Sequence, residues 1–288
     1  NSINTEKAKE DDVITLTIVA NETITQPTVS FNIGGTIVSP SVSPSGPGSN
    51  YTATYTVLSG QNGSVTFSIS SYSDSAGNAG PTVTALTSGS SVTVDTIAPV
   101  ISQETKISTI TNSTTPIYVF SSDKTGTITF DFNDTGLTVL SGNSAGDTNN
   151  NVEFDTVPEG GPYPGITIKV TDTAGNESNI LTIPTLSVDI TPPSFSNITP
   201  LSDAKINNSN VTYTLSKNIV SGFVKYTSAG DTDSPHTYTL GQNGNVTELQ
   251  SGAPRTLSSP PTLVNGAIYT IYWQGTDAAG NIGNVESV

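Results

Sequence analysis

One pentapeptide, Asp-x-Ala-Gly-Asn, stands three times in this chain: Asp74-Ser-Ala-Gly-Asn78, Asp172-Thr-Ala-Gly-Asn176 and Asp277-Ala-Ala-Gly-Asn281. Its Asp residues lie 98 and then 105 positions apart. A second signature falls between the copies, Val94-Asp95-Thr-Ile-Ala-Pro99 and Val188-Asp189-Ile-Thr-Pro-Pro193, with the Asp residues 94 apart. Two motifs at one period mean one supersecondary unit copied in line. Boundaries just before Asp95 and Asp189 divide the 288 residues into 1–94, 95–188 and 189–288. The prolines that follow each boundary Asp stiffen the connection and stop a strand from running through it.

Within each copy, apolar residues alternate with polar ones. Ile14, Leu16 and Ile18 do so in the first, as do Val29, Phe31 and Ile33, Tyr51, Ala53, Tyr55 and Val57, and Val65, Phe67 and Ile69. Ile128, Phe130 and Phe132, and Ile166, Ile168 and Val170, follow the pattern in the second. Val211, Tyr213 and Leu215, and Tyr269, Ile271 and Trp273, follow it in the third. Period two is the pattern of a strand with one buried face, and Thr, Val, Ile and Tyr suit a pleated surface. No stretch carries a helical period. Many short strands with frequent turns predict an all-β chain built of two-sheet antiparallel sandwiches. The alternation also argues against disorder in a chain otherwise rich in Ser and Thr.

Composition removes whole classes of function. There is no Cys, so no disulfide framework, zinc finger, iron–sulfur cluster or thiol nucleophile is possible. A single His, His236, leaves no His-based metal cluster and one candidate for any His-dependent triad. The net charge of −15 repels nucleic-acid phosphates and anionic lipid and favours divalent cations. No apolar run approaches the roughly 18 residues of a membrane helix, so insertion is not expected. With neither an initiator Met nor a signal peptide, the expectation is a mature, processed or excised chain. Repeated small sandwiches offer little depth for a water-excluding cleft, and the chain is read as non-enzymatic.

The paired motifs, together with the run Ala8-Lys-Glu-Asp-Asp-Val-Ile-Thr-Leu-Thr-Ile-Val-Ala-Asn-Glu22 and the stretch Tyr51-Thr-Ala-Thr-Tyr-Thr-Val57, resemble the bacterial immunoglobulin-like repeats of large surface and adhesin proteins. The resemblance implies three tandem immunoglobulin-like β-sandwiches in an elongated array, outside the cell. It also implies Ca²⁺ at the junctions between modules.

Two readings of the pentapeptide stand. In the structural one, Gly supplies a positive φ while Asp and Asn bond the nearby backbone of a tight hairpin. In the functional one, the hairpin lies at the end where the preceding module joins, so Asp95 meets Asp172 and Asn176, and Asp189 meets Asp277 and Asn281. Asp123 joins the first group from a neighbouring loop. Lys217 stands in the matching stretch of the third module, which predicts weaker binding there. Clustered carboxylate and amide oxygens suit Ca²⁺, with its six to eight oxygen ligands.

Trp273 falls on the inward face and reads as core, with Tyr272 outward. His236, in the polar loop Asp231-Thr-Asp-Ser-Pro-His236, reads as a solvated side chain. Only seven residues follow Asn281, so the third module's last strand is expected to be incomplete. The whole predicts a stalk or surface-fibre component whose partners are neighbouring copies or flanking repeats, and a host or cell-surface glycan or protein. Two alternatives are a filament subunit assembled by strand complementation and a binding module acting through the loops from Ser228 to Pro261.

Overall fold

A computed structural model of the chain describes residues 5–45, 49–105, 107–132, 136–142, 144–146, 149–163, 165–206 and 208–287. Residues 1–4, which open the polar N-terminal stretch, lie outside the described residues. The chain is nearly all β, in antiparallel sheets with two short parallel pairs.

The first segment runs β1 (Lys7–Ala8), β2 (Val13–Val19), β3 (Thr28–Ile33), β4 (Thr36–Val38), β5 (Ser41–Pro44), β6 (Asn50–Thr56), β7 (Asn62–Ser70) and β8 (Thr93–Asp95). One sheet is ordered β1-β8-β7-β3-β4 and the other β2-β6-β5. The predicted alternation sets the register. Phe31 faces Phe67 across β3 and β7, and Leu16 faces Ala53 across β2 and β6. Val29, Phe31, Ile33, Tyr51 and Ala53 are buried, whereas Ser30, Asn32 and Thr52 between them are only half-buried.

The second segment adds β9 (Ile101–Thr105), β10 (Ile110–Thr111), β11 (Ile117–Ser122), β12 (Gly126–Asp131), β13 (Val139–Ser141), β14 (Ser144–Ala145), β15 (Asn149–Phe154), β16 (Gly160–Tyr163), β17 (Thr167–Thr171), β18 (Leu181–Thr182) and β19 (Leu186–Val188). Its sheets are β13-β15-β11-β9, β14-β12-β17-β18 and β10-β19-β16. The third contains β20 (Phe195–Thr199), β21 (Thr212–Leu215), β22 (Ser221–Thr227), β23 (His236–Thr239), β24 (Arg255–Thr256), β25 (Thr270–Thr276) and β26 (Ile282–Ser287). These form the sheets β20-β21-β24 and β23-β22-β25-β26.

Buried apolar side chains gather in three clusters that share no residue. One spans Ala8 to Val94, one Ile101 to Val188 and one Phe195 to Trp273. In the first two segments the last strand returns to pair in parallel with the first short one, β8 with β1 and β19 with β10. In the third, β26 pairs antiparallel with β25 over six positions, in the place that β18 holds beside β17. No parallel pair of that kind occurs among its described residues.

A second difference concerns the edges. β11 has β15 on one side and β9 on the other, and β21 is likewise flanked by β24 and β20. β2, which holds the same place in the first segment, pairs only with β6.

Candidate functional site at the junctions

The pentapeptide is a closed hairpin in all three copies. In the second, the Asp172 N–H donates to the Asn176 carbonyl at 3.0 Å and the Gly175 N–H to the Asp172 carbonyl at 3.0 Å. Asp172 Oδ1 then accepts the N–H groups of Ala174 (2.9 Å) and Asn176 (3.0 Å). Asp74 and Asp277 repeat these bonds within about 0.2 Å. Gly77, Gly175 and Gly280 sit at φ +90, +92 and +93, a left-handed backbone that a side chain disfavours. The structural reading therefore accounts for Asp, Gly and Asn in every copy, including the first, where the turn is exposed.

The second and third copies do more. Asp95, the last residue of β8, pairs with Asn62 in the first segment and presents its carboxylate to the second. There Lys124, on the turn between β11 and β12, places its Nζ 2.9 Å from both Asp95 oxygens and 3.2 Å from Asp172 Oδ2. The same ammonium donates to the carbonyl of Ile97. Asn176 turns its amide nitrogen to the Asp95 carbonyl at 2.9 Å and to Asp172 Oδ2 at 3.0 Å. The next junction repeats the arrangement. Lys217 Nζ lies 2.7 and 2.8 Å from the Asp189 oxygens, 3.3 Å from Asp277 Oδ2 and 2.6 Å from the Thr191 carbonyl. Asn281 Nδ2 donates to the Asp189 carbonyl at 2.6 Å and to Asp277 Oδ2 at 3.0 Å.

The side chains of Asp172 and Asp277 are almost wholly buried here, while their lysines remain about a quarter exposed. Burial alone would raise both carboxyls. The hydrogen bonds from Asn176 and Asn281, with the lysine charges, outweigh it and hold both below their ordinary value. Burial likewise works against the charged lysines, and the paired aspartates outweigh it, raising Lys124 and Lys217 above theirs. Asp172, Asp277, Lys124 and Lys217 thus stay charged across the neutral range.

Six of the seven predicted cation ligands are brought together as expected: Asp95, Asp172 and Asn176 at one junction, Asp189, Asp277 and Asn281 at the other. Asp123 is not among them. Its carboxylate accepts the N–H of Val100 at 2.7 Å, clipping the start of β9. Ser216 Oγ does the same for Ser194 at 2.8 Å in the third segment. Asp123 therefore matches Ser216, and Lys124 matches Lys217, one residue away from the alignment that made the junctions unequal. The residue missed was Lys124. Its signal was the Ser-x-Lys and Ser-Lys spacing after a strand, visible only once the strand ends were fixed.

The oxygens that would ligate Ca²⁺ surround an ammonium instead, at hydrogen-bond distances rather than the 2.3–2.6 Å of Ca²⁺ coordination. The asparagine amides point donors, not carbonyls, at the carboxylates. These residues do not fit Ca²⁺ while the lysine is in place. Among the described residues no group of three or more His, Cys, Asp or Glu is arranged to hold a metal.

The loops from Ser228 to Pro261 are organised from within. Asp231 is buried and accepts from His236 Nε2 at 2.5 Å, from the Tyr269 hydroxyl and from the Asp233 N–H at 2.9 Å. His236 is therefore a tied residue opening β23, not a solvated loop side chain. Glu248 is 1 % exposed and accepts from the Tyr238 hydroxyl, the Ser258 N–H and the Gly241 N–H, each at 2.8 Å, and from Asn245 Nδ2 at 3.1 Å. Trp273 is fully buried, as its face predicted, and Tyr272 is half-buried, its ring 6.0 Å from Phe223.

No known protein family matches the chain, and no curated protein matches it in sequence. Its neighbours among solved structures are bacterial adhesin repeat domains and immunoglobulin-like tandem repeats. A structure concerning host cell surface retention of a 1.5-MDa bacterial ice-binding adhesin is 16 % identical, with 98 % of this chain and 93 % of that one covered, at a TM-score of 0.36. A tetra-tandem repeat from the extending region of a large adhesion protein is 18 % identical, covering 98 % and 72 %, at 0.27. The I9–I11 tandem of titin is 10 % identical, covering 96 % and 94 %, at 0.30. Among the described residues no helix is long and apolar enough to cross a membrane.

Proposed function

We propose that the chain is a non-catalytic spacer, three immunoglobulin-like sandwiches placed end to end outside the cell, which holds an attached surface or ligand at a distance. The observation that carries this reading is the partition of the core into three clusters, joined where an Asp of one sandwich reaches into the pentapeptide turn of the next. Surface area supports it. A single globule of 29.7 kDa exposes about 11,600 Å², and three separate globules of a third that mass about 15,600 Å². The chain exposes 15371 Å². The likeness of the paired motifs to bacterial surface repeats supplies the location. Small-angle X-ray scattering tests the proposal. A rod gives a maximum dimension on the order of 100 Å. A radius of gyration near the ~19 Å of a compact 288-residue domain overturns it.

The edge of β2 favours a second reading, in which the same rod joins to others by strand complementation. A groove of about 590 Å³ runs between β2 and residues 79–88, lined by Leu16, Ile18, Ile24, Phe67, Ile69 and Tyr72 among others. In the second segment β9 fills this place, with Ile101 buried and its backbone held by Asn179 at 2.9 Å. A strand from a second copy, with an inward apolar residue where Ile101 stands, fits the groove. Light scattering across a concentration series checks this: self-association abolished by Leu16→Lys supports it, and a monomer at every concentration removes it.

A further inference from the structure

The two junction clusters have a common centre, and that centre is a side chain. We propose that Lys124 and Lys217 are the resident cations of the junctions, holding successive sandwiches in line in place of a divalent metal, so that the rod is stiff without Ca²⁺.

Four features carry this. The ammonium of each lysine bonds three partners from both sides of its junction. On one side are the carboxylate of the last-strand Asp and a carbonyl two residues after it, and on the other is the buried carboxylate of the pentapeptide. Three donors on a point charge meet three acceptor groups, so the ammonium is fully used. The asparagine of each turn adds a neutral bond across the same boundary, to the carbonyl of Asp95 or Asp189. Finally, both junctions within the chain carry a lysine at this place. In the first segment the matching residue, four after Ile18 as Lys124 is four after Phe120, is Glu22, and it is exposed.

A partly buried, multiply bonded ion pair differs from an exposed one. Most surface pairs contribute little, because two mobile side chains must be immobilised in water. Here both aspartates are already fixed by backbone bonds, Asp172 and Asp277 through Oδ1 to their own turns and Asp95 and Asp189 to Ile97 and Thr191. Only the lysine is ordered on closing. Removing it leaves two carboxylates facing each other at a junction, one of them buried, and repulsion then drives the sandwiches apart.

The inference rests on the rod reading, and its test separates the two. The chain has no cysteine, so reporter pairs can be introduced freely. Spin labels on T66C with T129C span the first junction, and on T129C with T237C the second, all on exposed threonines of the full chain. Electron–electron resonance then reads the distance distribution. Narrow wild-type distributions, unchanged by chelator or by about 1 mM Ca²⁺, are expected. K124M is expected to lose the narrow distribution across the first junction only, and K217M across the second only. K124Q, which keeps a donor on a shorter stem but not the charge, should behave as K124M does. Wild-type distributions that sharpen on adding Ca²⁺ overturn the proposal, whatever the variants do. So do K124M and K217M distributions as narrow as wild type. Broad wild-type distributions indifferent to Ca²⁺ and to every variant overturn the rod reading itself, and the resident cation with it.

Discussion

Asp172 shows how one side chain serves local and long-range structure together. Its Oδ1 accepts two N–H groups of its own turn, and its Oδ2 faces Asn176 and Lys124. Asp172→Ala leaves the turn amides without an acceptor and Lys124 with one carboxylate, and costs the second segment about 2–3 kcal/mol. Hydrogen exchange of β17 and β18 amides in the full chain measures this, with protection in the first segment unchanged. Asp74→Ala breaks the same turn where it is exposed and unpaired with lysine, so its effect is smaller. The pH dependence has a definite sign. A carboxyl held below its ordinary 3.8 contributes stability above that value and loses it as pH falls through the lowered one. A lysine held above 10.5 contributes below that value and loses it as pH rises through the raised one. Wild-type protection at the Asp172 turn therefore spans the neutral range and fails at both extremes, and in Asp172→Ala the acid limb disappears.

At the scale of elements, the strands were legible and some of their company was not. Thr, Val, Ile and Tyr at period two placed β2, β3, β6, β7, β17 and β25 where they are, because a one-residue slip would turn every apolar side chain to water. The segment after β23 had no such pattern. Residues 242–249 form two 3-10 turns around Glu248, whose four donors come from positions three to ten residues away and from two different strands' ends. No sequence spacing announces a buried carboxylate satisfied mainly by backbone and hydroxyl groups. Its weight is testable. Glu248→Gln is isosteric but turns an NH₂ toward a donor and costs the third segment about 2 kcal/mol. Faster hydrogen exchange in β22 to β26, with β2 to β7 unchanged, is the expected result. Unaltered exchange in β23 would mean that Glu248 is a bystander to this packing.

For the whole molecule, the repeat itself was written in the primary structure. A pentapeptide and a boundary signature at one period require a copied unit, and alternating apolar residues require it to be a sandwich, since both are local consequences of backbone chemistry and pleat. The turn chemistry of Asp, Gly and Asn was equally legible, because the bonds that close the turn lie within five residues. The meeting of Asp95 with Asp172 could be anticipated from topology alone, as hairpin and junction share one end of the sandwich. What stands between them could not. Asp123 and Lys124 are neighbours in sequence, and which of the two enters the junction depends on where β11 ends and how its last residues turn. Adjacent side chains leave an extended chain in opposite directions, so a shift of one position exchanges an anion for a cation. Only the folded chain, bringing together residues 29 and 48 positions apart, decided that an ammonium and not a carboxylate faces the other two carboxylates.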